Sequence, residues 1–97
     1  MVYGYIYMIY CDITRKLYIG ARKWKNPKTL HLDKYMGSGK ALNRDKAIFG
    51  LSHFHKTILA VAFSLRELNQ LEKLYIEKYN AVESPSFYNL KAGGGLH

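Results

Sequence analysis

Glu72 stands where a carboxylate is costly. Wound as a helix at about 100° per residue, the segment SLRELNQLEKLYIEKYN (residues 64–80) puts Leu68, Tyr75, Ile76 and Tyr79 on one apolar arc, and Glu72 falls inside it. A carboxylate on a buried face must be paired, hydrogen-bonded or bound to a cation. A structural Glu paired with a buried Arg, or one snorkelling outward at the edge of the arc, would look the same in sequence. So would a ligand to one divalent cation that polarises a phosphodiester and stabilises its leaving oxygen.

The charge distribution favours a polyanionic partner. The chain carries a formal net charge of +8. Between residues 15 and 46 stand ten basic side chains: Arg15, Lys16, Arg22, Lys23, Lys25, Lys28, Lys34, Lys40, Arg44 and Lys46. Only Asp33 and Asp45 oppose them, and the rest of the chain balances five basic against five acidic residues, so the whole excess lies in this segment. A concentrated basic stretch is the electrostatic footprint of a nucleic-acid binder.

The elements that must position these groups follow from pattern. Tyr3, Tyr5, Tyr7, Tyr10 and Tyr18 crowd into sixteen residues. Residues 2–10 and 17–21 are rich in Tyr and Ile and read as strands. The short polar link between them makes an antiparallel hairpin. Tyr3, Tyr5, Tyr7 and Ile9 then share one face, and Gly4, Ile6, Met8 and Tyr10 the other; Tyr3 and Tyr10 read as packing residues. Residues 22–37 read as a basic loop. A helix is expected from Ser38 or Gly39 to Phe49, with Gly50 ending it. Residues 53–63 read as a third strand, buried from Thr57 on. Ser64 and Glu67 form a capping box that opens the second helix. Residues 87–90 form a short extended piece, and Gly93, Gly94 and Gly95 a flexible end. The order β-β-α-β-α implies an α+β domain with a mainly antiparallel sheet.

Several chemistries are excluded. The lone Cys11 cannot form an internal disulfide or a structural zinc site, and it weakly favours a reducing compartment. His31, His53, His55 and His97 are too scattered for a metal box; His53 and His55 alternate and read as a polar strand edge. The Gly37-Ser38-Gly39-Lys40 run lacks the earlier glycine of a phosphate loop and has Ala41 where Ser or Thr is required. No nucleophile elbow is present. Asp12, Asp33 and Asp45 lie in polar segments that demand no special explanation. No run nears the roughly 20 apolar residues of a membrane span, and no secretory signal is visible, so a cytoplasmic location and no membrane partner are expected. At 97 residues the chain is expected to be a single domain, 1–97.

Taken in order, the motifs resemble the GIY-YIG endonucleases. That family's signature is Gly-Ile-Tyr and Tyr-Ile-Gly with ten or eleven residues between. Tyr5-Ile6-Tyr7 and Tyr18-Ile19-Gly20 are separated by ten, residues 8–17. The Tyr35-Met36-Gly37-Ser38-Gly39-Lys40 run is similar to a segment of phage members, and Glu72 followed by Lys73-Leu74-Tyr75-Ile76 looks like the family's metal-binding glutamate. Tyr88-Asn89-Leu90 resembles its closing strand. The resemblance covers nearly the whole chain and implies a small three-stranded antiparallel sheet flanked by helices, phage or homing-endonuclease-like.

It also implies an activity: metal-dependent hydrolysis of DNA phosphodiester bonds with one Mg²⁺ or Mn²⁺. By resemblance Tyr7 is the general base or positions the water, with Tyr18 beside it. Arg22 stabilises the pentavalent phosphate, Glu72 binds the metal, and Asn89 orients groups around metal or phosphate. Lys23, Lys25, Lys28, Lys40 and Arg44 would contact DNA, duplex or branched, and Lys23, Lys40 and Arg44 are the fallbacks for the arginine role. A homodimer with two active sites could cut opposite strands. Two departures stand out. Tyr5 replaces the first glycine of the signature, next to Gly4. Arg22 follows the second motif closely, where many members carry their arginine later, on a helix. The alternative reading is a non-catalytic nucleic-acid-binding domain on the same fold; a third is a small interaction domain whose tyrosines merely pack.

Overall fold

A computed structural model describes residues 2–89. Among them, three strands and two α-helices follow in the order β1 (Gly4–Cys11), β2 (Leu17–Lys23), α1 (Lys40–Phe49), β3 (Phe54–Ala62) and α2 (Leu65–Lys78), with short 3-10 turns at Leu30–Leu32 and Leu51–His53. The α+β arrangement expected from the sequence is the one observed. Gly93, Gly94 and Gly95, expected as a flexible end, lie outside the described residues.

The sheet order is β2-β1-β3, with both pairings antiparallel. The first strand is therefore the central one. Its sequence, GYIYMIYC, reads as almost continuous apolar residues because both faces are covered. Tyr5, Tyr7, Ile9 and Cys11 enter one core with Tyr18, Leu30, Leu42, Phe54 and Tyr88. Ile6 enters the other with Ile19, Ala21, Ala62, Leu68, Ile76 and Ala81. The face alternation deduced for the hairpin is thus realised, with two corrections. Tyr3 precedes the strand and packs against the second core, not with Tyr5. Tyr10, expected to pack, is exposed at the strand end.

Two further expectations fail on matters of strand order and extent. The third strand, expected to be buried from Thr57 on, is an edge strand; Ile58 to Val61 are only half-buried, and Phe63 is 66% exposed. An apolar run cannot by itself say whether its strand lies at the centre or the edge of a sheet. The basic loop begins later than expected, because β2 runs on to Lys23 and carries Arg22 within it.

The helix boundaries follow local chemistry. Gly39 precedes α1, and Gly50 ends it at φ 91°, a conformation that disfavours a β-carbon. Ser64 Oγ accepts from the Glu67 N–H at 3.1 Å, and Glu67 Oε1 accepts from the Phe63 N–H at 2.7 Å. This is the anticipated capping pair with the Glu bond one residue before the cap; such a cap contributes about 1 kcal/mol. The expected polar edge at His53 and His55 is also present, since both rings hydrogen-bond to Asp12, each at 2.9 Å.

Candidate active site

The hairpin register places the site. Tyr5 pairs with Arg22, Tyr7 with Gly20 and Ile9 with Tyr18, so Tyr5, Tyr7, Tyr18 and Arg22 lie on one face of the β1–β2 ribbon. Gly20 is required by contact: a β-carbon there would overlap the Tyr7 ring and hydroxyl. The ring of Tyr7 packs 6.3 Å from that of Tyr18 and edge-on, at 6.1 Å, to that of Tyr35. The Arg22 guanidinium carbon lies 4.2 Å from the centre of the Tyr35 ring. Four aromatic or cationic groups therefore form one continuous run of contacts, Tyr18–Tyr7–Tyr35–Arg22. Neither Lys23, Lys40 nor Arg44 joins it.

The loop after β2 roofs this face. A β-carbon on Gly39 would meet the Tyr18 ring, and one on Gly37 would meet Leu42. Gly37 also adopts φ 87°, so this glycine serves both backbone conformation and close approach. Lys46 Nζ donates to the carbonyls of Met36 and Gly37, both at 3.1 Å, tying the segment to α1. The Ser38 side chain hydrogen-bonds to Tyr18.

Glu72 reaches the site from α2, on the far side of the sheet. It lies one turn from both Leu68 and Ile76, which enter the second core, and it is only 2% exposed. Neither a buried Arg nor solvent is its partner; the nearby Ala21 backbone favours its charged form. Its Oε2 is buried with no hydrogen-bond partner among the described residues, and the same is true of the Tyr7 hydroxyl. Burial pushes the Glu72 pKa up to about 7, an effect the Ala21 backbone only partly offsets. Burial, with Tyr35 and Glu72 adding to it, pushes Tyr18 up to about 12. Burial raises Tyr7 further, and Tyr18, Tyr35 and Glu72 add to that shift. The charge of Glu72 thus bears on both tyrosines.

The outer edge of β2 explains Asn89. Alternate residues of β2 turn their backbone groups away from β1. Leu17 is met by Ser86 and Tyr88, at 2.9 and 2.7 Å, and the Ala21 backbone lies near the Glu72 carboxylate. Between them, Asn89 Oδ1 accepts from the Ile19 N–H at 3.0 Å and Asn89 Nδ2 donates to the Ile19 carbonyl at 2.8 Å. Both ends of the amide are engaged by the backbone between Tyr18 and Gly20. Asn89 therefore touches the site through β2.

The metal-ligating potential is narrow. No group of three or more His, Cys, Asp or Glu side chains placed to hold a metal exists among the described residues. One carboxylate with an unengaged buried oxygen suits a cation that keeps several waters and takes further oxygens from a phosphate, as Mg²⁺ does.

Sequence reasoning missed three residues. Asp33 is buried and accepts from Arg22 Nε at 2.9 Å, from the Tyr5 hydroxyl at 2.7 Å and from the Tyr35 N–H at 3.1 Å. Lys56 Nζ donates to the Tyr5 hydroxyl at 2.9 Å. Asp45, also buried, accepts from the Tyr88 hydroxyl at 2.9 Å. The two aspartates carry no signal in the sequence because their segments are polar; their partners come from distant strands, which no local pattern reveals. By contrast, Lys23, Lys25, Lys28, Lys40 and Arg44 are all exposed, as phosphate contacts need to be.

Comparisons with known proteins agree with this geometry. Residues 1–92 match the family described as "Putative endonuclease segE, GIY-YIG domain". The chain is 34% identical over 93 residues to "Putative endonuclease segB" of Enterobacteria phage T4, covering 96% of this chain and 40% of that protein. It is 30% identical to "Endonuclease segA" of the same phage, covering 95% of this chain and 39% of the relative. The chain thus spans about two fifths of the length of these relatives. In three dimensions it superposes on the catalytic domain of intron endonuclease I-TevI, solved as a single-substitution mutant, with TM-score 0.68 and 18% identity, over 92% of this chain and 94% of that one.

Proposed function

Because the chain belongs to the GIY-YIG endonuclease family, we propose that residues 1–97 act as one nuclease module that hydrolyses DNA phosphodiester bonds. The observation that carries this is the buried Glu72 Oε2, which makes no hydrogen bond among the described residues, on a carboxylate whose charge bears on Tyr7 and Tyr18. A folded protein tolerates an orphaned carboxylate oxygen at a cost, and such sites concentrate where function needs them.

In this reading Glu72 holds Mg²⁺ or Mn²⁺. Bound there, the ion would polarise the scissile phosphate and stabilise the departing oxygen. Arg22 offers its planar fork to the non-bridging oxygens, for which a guanidinium is better shaped than an ammonium. Tyr7 remains a neutral phenol at physiological pH, since burial and its neighbours raise its pKa. It therefore orients the attacking water by hydrogen bonding rather than by taking its proton. Tyr18, less strongly shifted and bonded to Ser38, is the tyrosine that could share a proton at lower cost. Asn89 holds the Tyr18–Gly20 backbone in register. Lys23, Lys25, Lys28, Lys40 and Arg44 supply the phosphate contacts that bring DNA to the site.

The decisive experiment is cleavage of a panel of duplex, branched and single-stranded DNA in Mg²⁺ and in Mn²⁺, with Glu72→Ala as control. Cleavage by the wild type and its loss in Glu72→Ala support the reading. DNA binding without cleavage under every condition would replace it with the binding-only alternative. Supercoiled plasmid, followed over enzyme concentration, distinguishes a monomer that nicks from a homodimer that cuts both strands.

A further inference from the structure

The position that carries glycine in the family signature is occupied here by Tyr5, and its hydroxyl is not idle. Tyr5 and Arg22 are direct cross-strand partners. The Tyr5 hydroxyl and Arg22 Nε both donate to the same atom, Asp33 Oδ2, at 2.7 and 2.9 Å. Asp33 Oδ1 accepts the Tyr35 N–H. From β3, Lys56 Nζ donates to the Tyr5 hydroxyl at 2.9 Å and to the carbonyls of Asp33 and Tyr35 at 2.7 and 2.8 Å. Each strand therefore contributes one polar side chain, Tyr5, Arg22 or Lys56, and all converge on the 33–35 segment.

The consequence for Arg22 is a fixed orientation. Its side-chain hydrogen bonds to the described residues run through Nε alone. Its guanidinium carbon lies over the Tyr35 ring. With one edge held by Asp33 and one face by Tyr35, the two terminal nitrogens are left as the edge that can fork onto a phosphate. A free arginine side chain has several rotatable bonds and must surrender that freedom when it meets the transition state. Here that ordering is complete before DNA arrives.

We propose that Asp33 and Tyr5 are positioning residues for the reaction: with Lys56 beneath them, they hold Arg22 in the orientation from which its terminal nitrogens meet the scissile phosphate. This inference rests on the nuclease reading above. It explains why a tyrosine is accommodated where the signature has glycine. The replacement does not close the site; it supplies a hydroxyl to the arginine's carboxylate.

The test uses the wild type, Tyr5→Phe, Asp33→Asn, Arg22→Ala and the Asp33→Asn/Arg22→Ala double variant, each first checked for a cooperative thermal transition. Single-turnover plasmid nicking in Mg²⁺ gives the rate, and fluorescence anisotropy with duplex DNA in EDTA gives affinity. A misaimed catalytic group costs up to about 100-fold, so Asp33→Asn should slow nicking by about that much and Tyr5→Phe by about tenfold, with affinity changed less than about threefold. In the Arg22→Ala background, losing Asp33 should change the rate by less than about twofold, because residues acting as a unit are not additive. Equal losses from Asp33→Asn with and without Arg22 would overturn the proposal, since that is what a merely structural aspartate would give.

A readout independent of cleavage is the Arg22 Nε–H cross-peak in a ¹⁵N–¹H spectrum. It should exchange slowly in the wild type, faster in Tyr5→Phe, and fastest in Asp33→Asn; equal protection in all three would also overturn the proposal. A wild type that cuts none of the DNA panel would remove the nuclease reading and this inference with it. A wild type that cuts, alongside variants that cut equally well, would remove this inference alone.

Discussion

The Tyr7 hydroxyl sits over Gly20, in the space a β-carbon would occupy, and the two residues face each other across the β1–β2 ladder. The glycine of the second motif is thus the contact surface for the tyrosine of the first. The spacing between the motifs matters because it sets the register that brings this tyrosine onto this glycine.

Gly20→Ala is therefore expected to force the Tyr7 ring aside. Overpacking of this kind costs about 1–3 kcal/mol, visible as a lower urea midpoint, and nicking should fall with it. Adding Tyr7→Phe to Gly20→Ala removes the overlapping oxygen and should restore part of the stability. If Gly20→Ala alone unfolds like the wild type, the contact is looser than the structure indicates.

Glu72 makes stability depend on pH in a direction unusual for a carboxylate. Burial raises its pKa from the ordinary 4.5 to about 7. Between those values the native state keeps a proton that the unfolded chain has released, so stability falls as pH rises through the window and levels off above it. Measured in EDTA, Glu72→Gln should overtake the wild type in stability across this range, by up to about 3 kcal/mol at pH 8. Parallel pH profiles for the two proteins would show that Glu72 titrates normally.

Asn89→Ala strips both hydrogen bonds from Ile19. A buried donor or acceptor left unmade costs about 1–3 kcal/mol, so the melting temperature should drop by at least about 4 °C. The Ile19 amide should lose its protection from hydrogen exchange. An unchanged Ile19 exchange rate would mean that water replaces the side chain without loss.

The exposed cations should act through charge alone. Replacing Lys25, Lys28, Lys40 and Arg44 together by Ala should weaken DNA binding and reduce the slope of log K against log salt by about 0.9 for each phosphate that is no longer neutralised. The rate at saturating DNA should change little. An unaltered salt slope would place the DNA elsewhere on the surface.

The elements themselves are legible in the sequence. Tyr-Ile alternation around a short polar link marks the hairpin. Ser64 and Glu67 mark the start of α2, and Gly50 the end of α1. Glu72 stands out because a charge on an apolar arc violates the helical pattern wherever the helix packs. Each of these is a local signal, confined to neighbouring residues or to one helix face, and local signals survive without a structure.

What the structure alone decided is which distant groups meet. Whether β3 lies at the centre or the edge depends on strand order, which its own composition does not encode. Asp33 and Asp45 look like ordinary loop acids until Tyr5, Arg22 and Tyr88 close on them. Asn89, expected at the metal or phosphate, has its amide occupied by Ile19. The residue types and their spacing along each strand are set by the sequence itself. Hydrogen-bond partners as much as 74 positions apart are chosen only when the sheet, α2 and the closing segment pack, because only then do buried polar groups find their donors and acceptors.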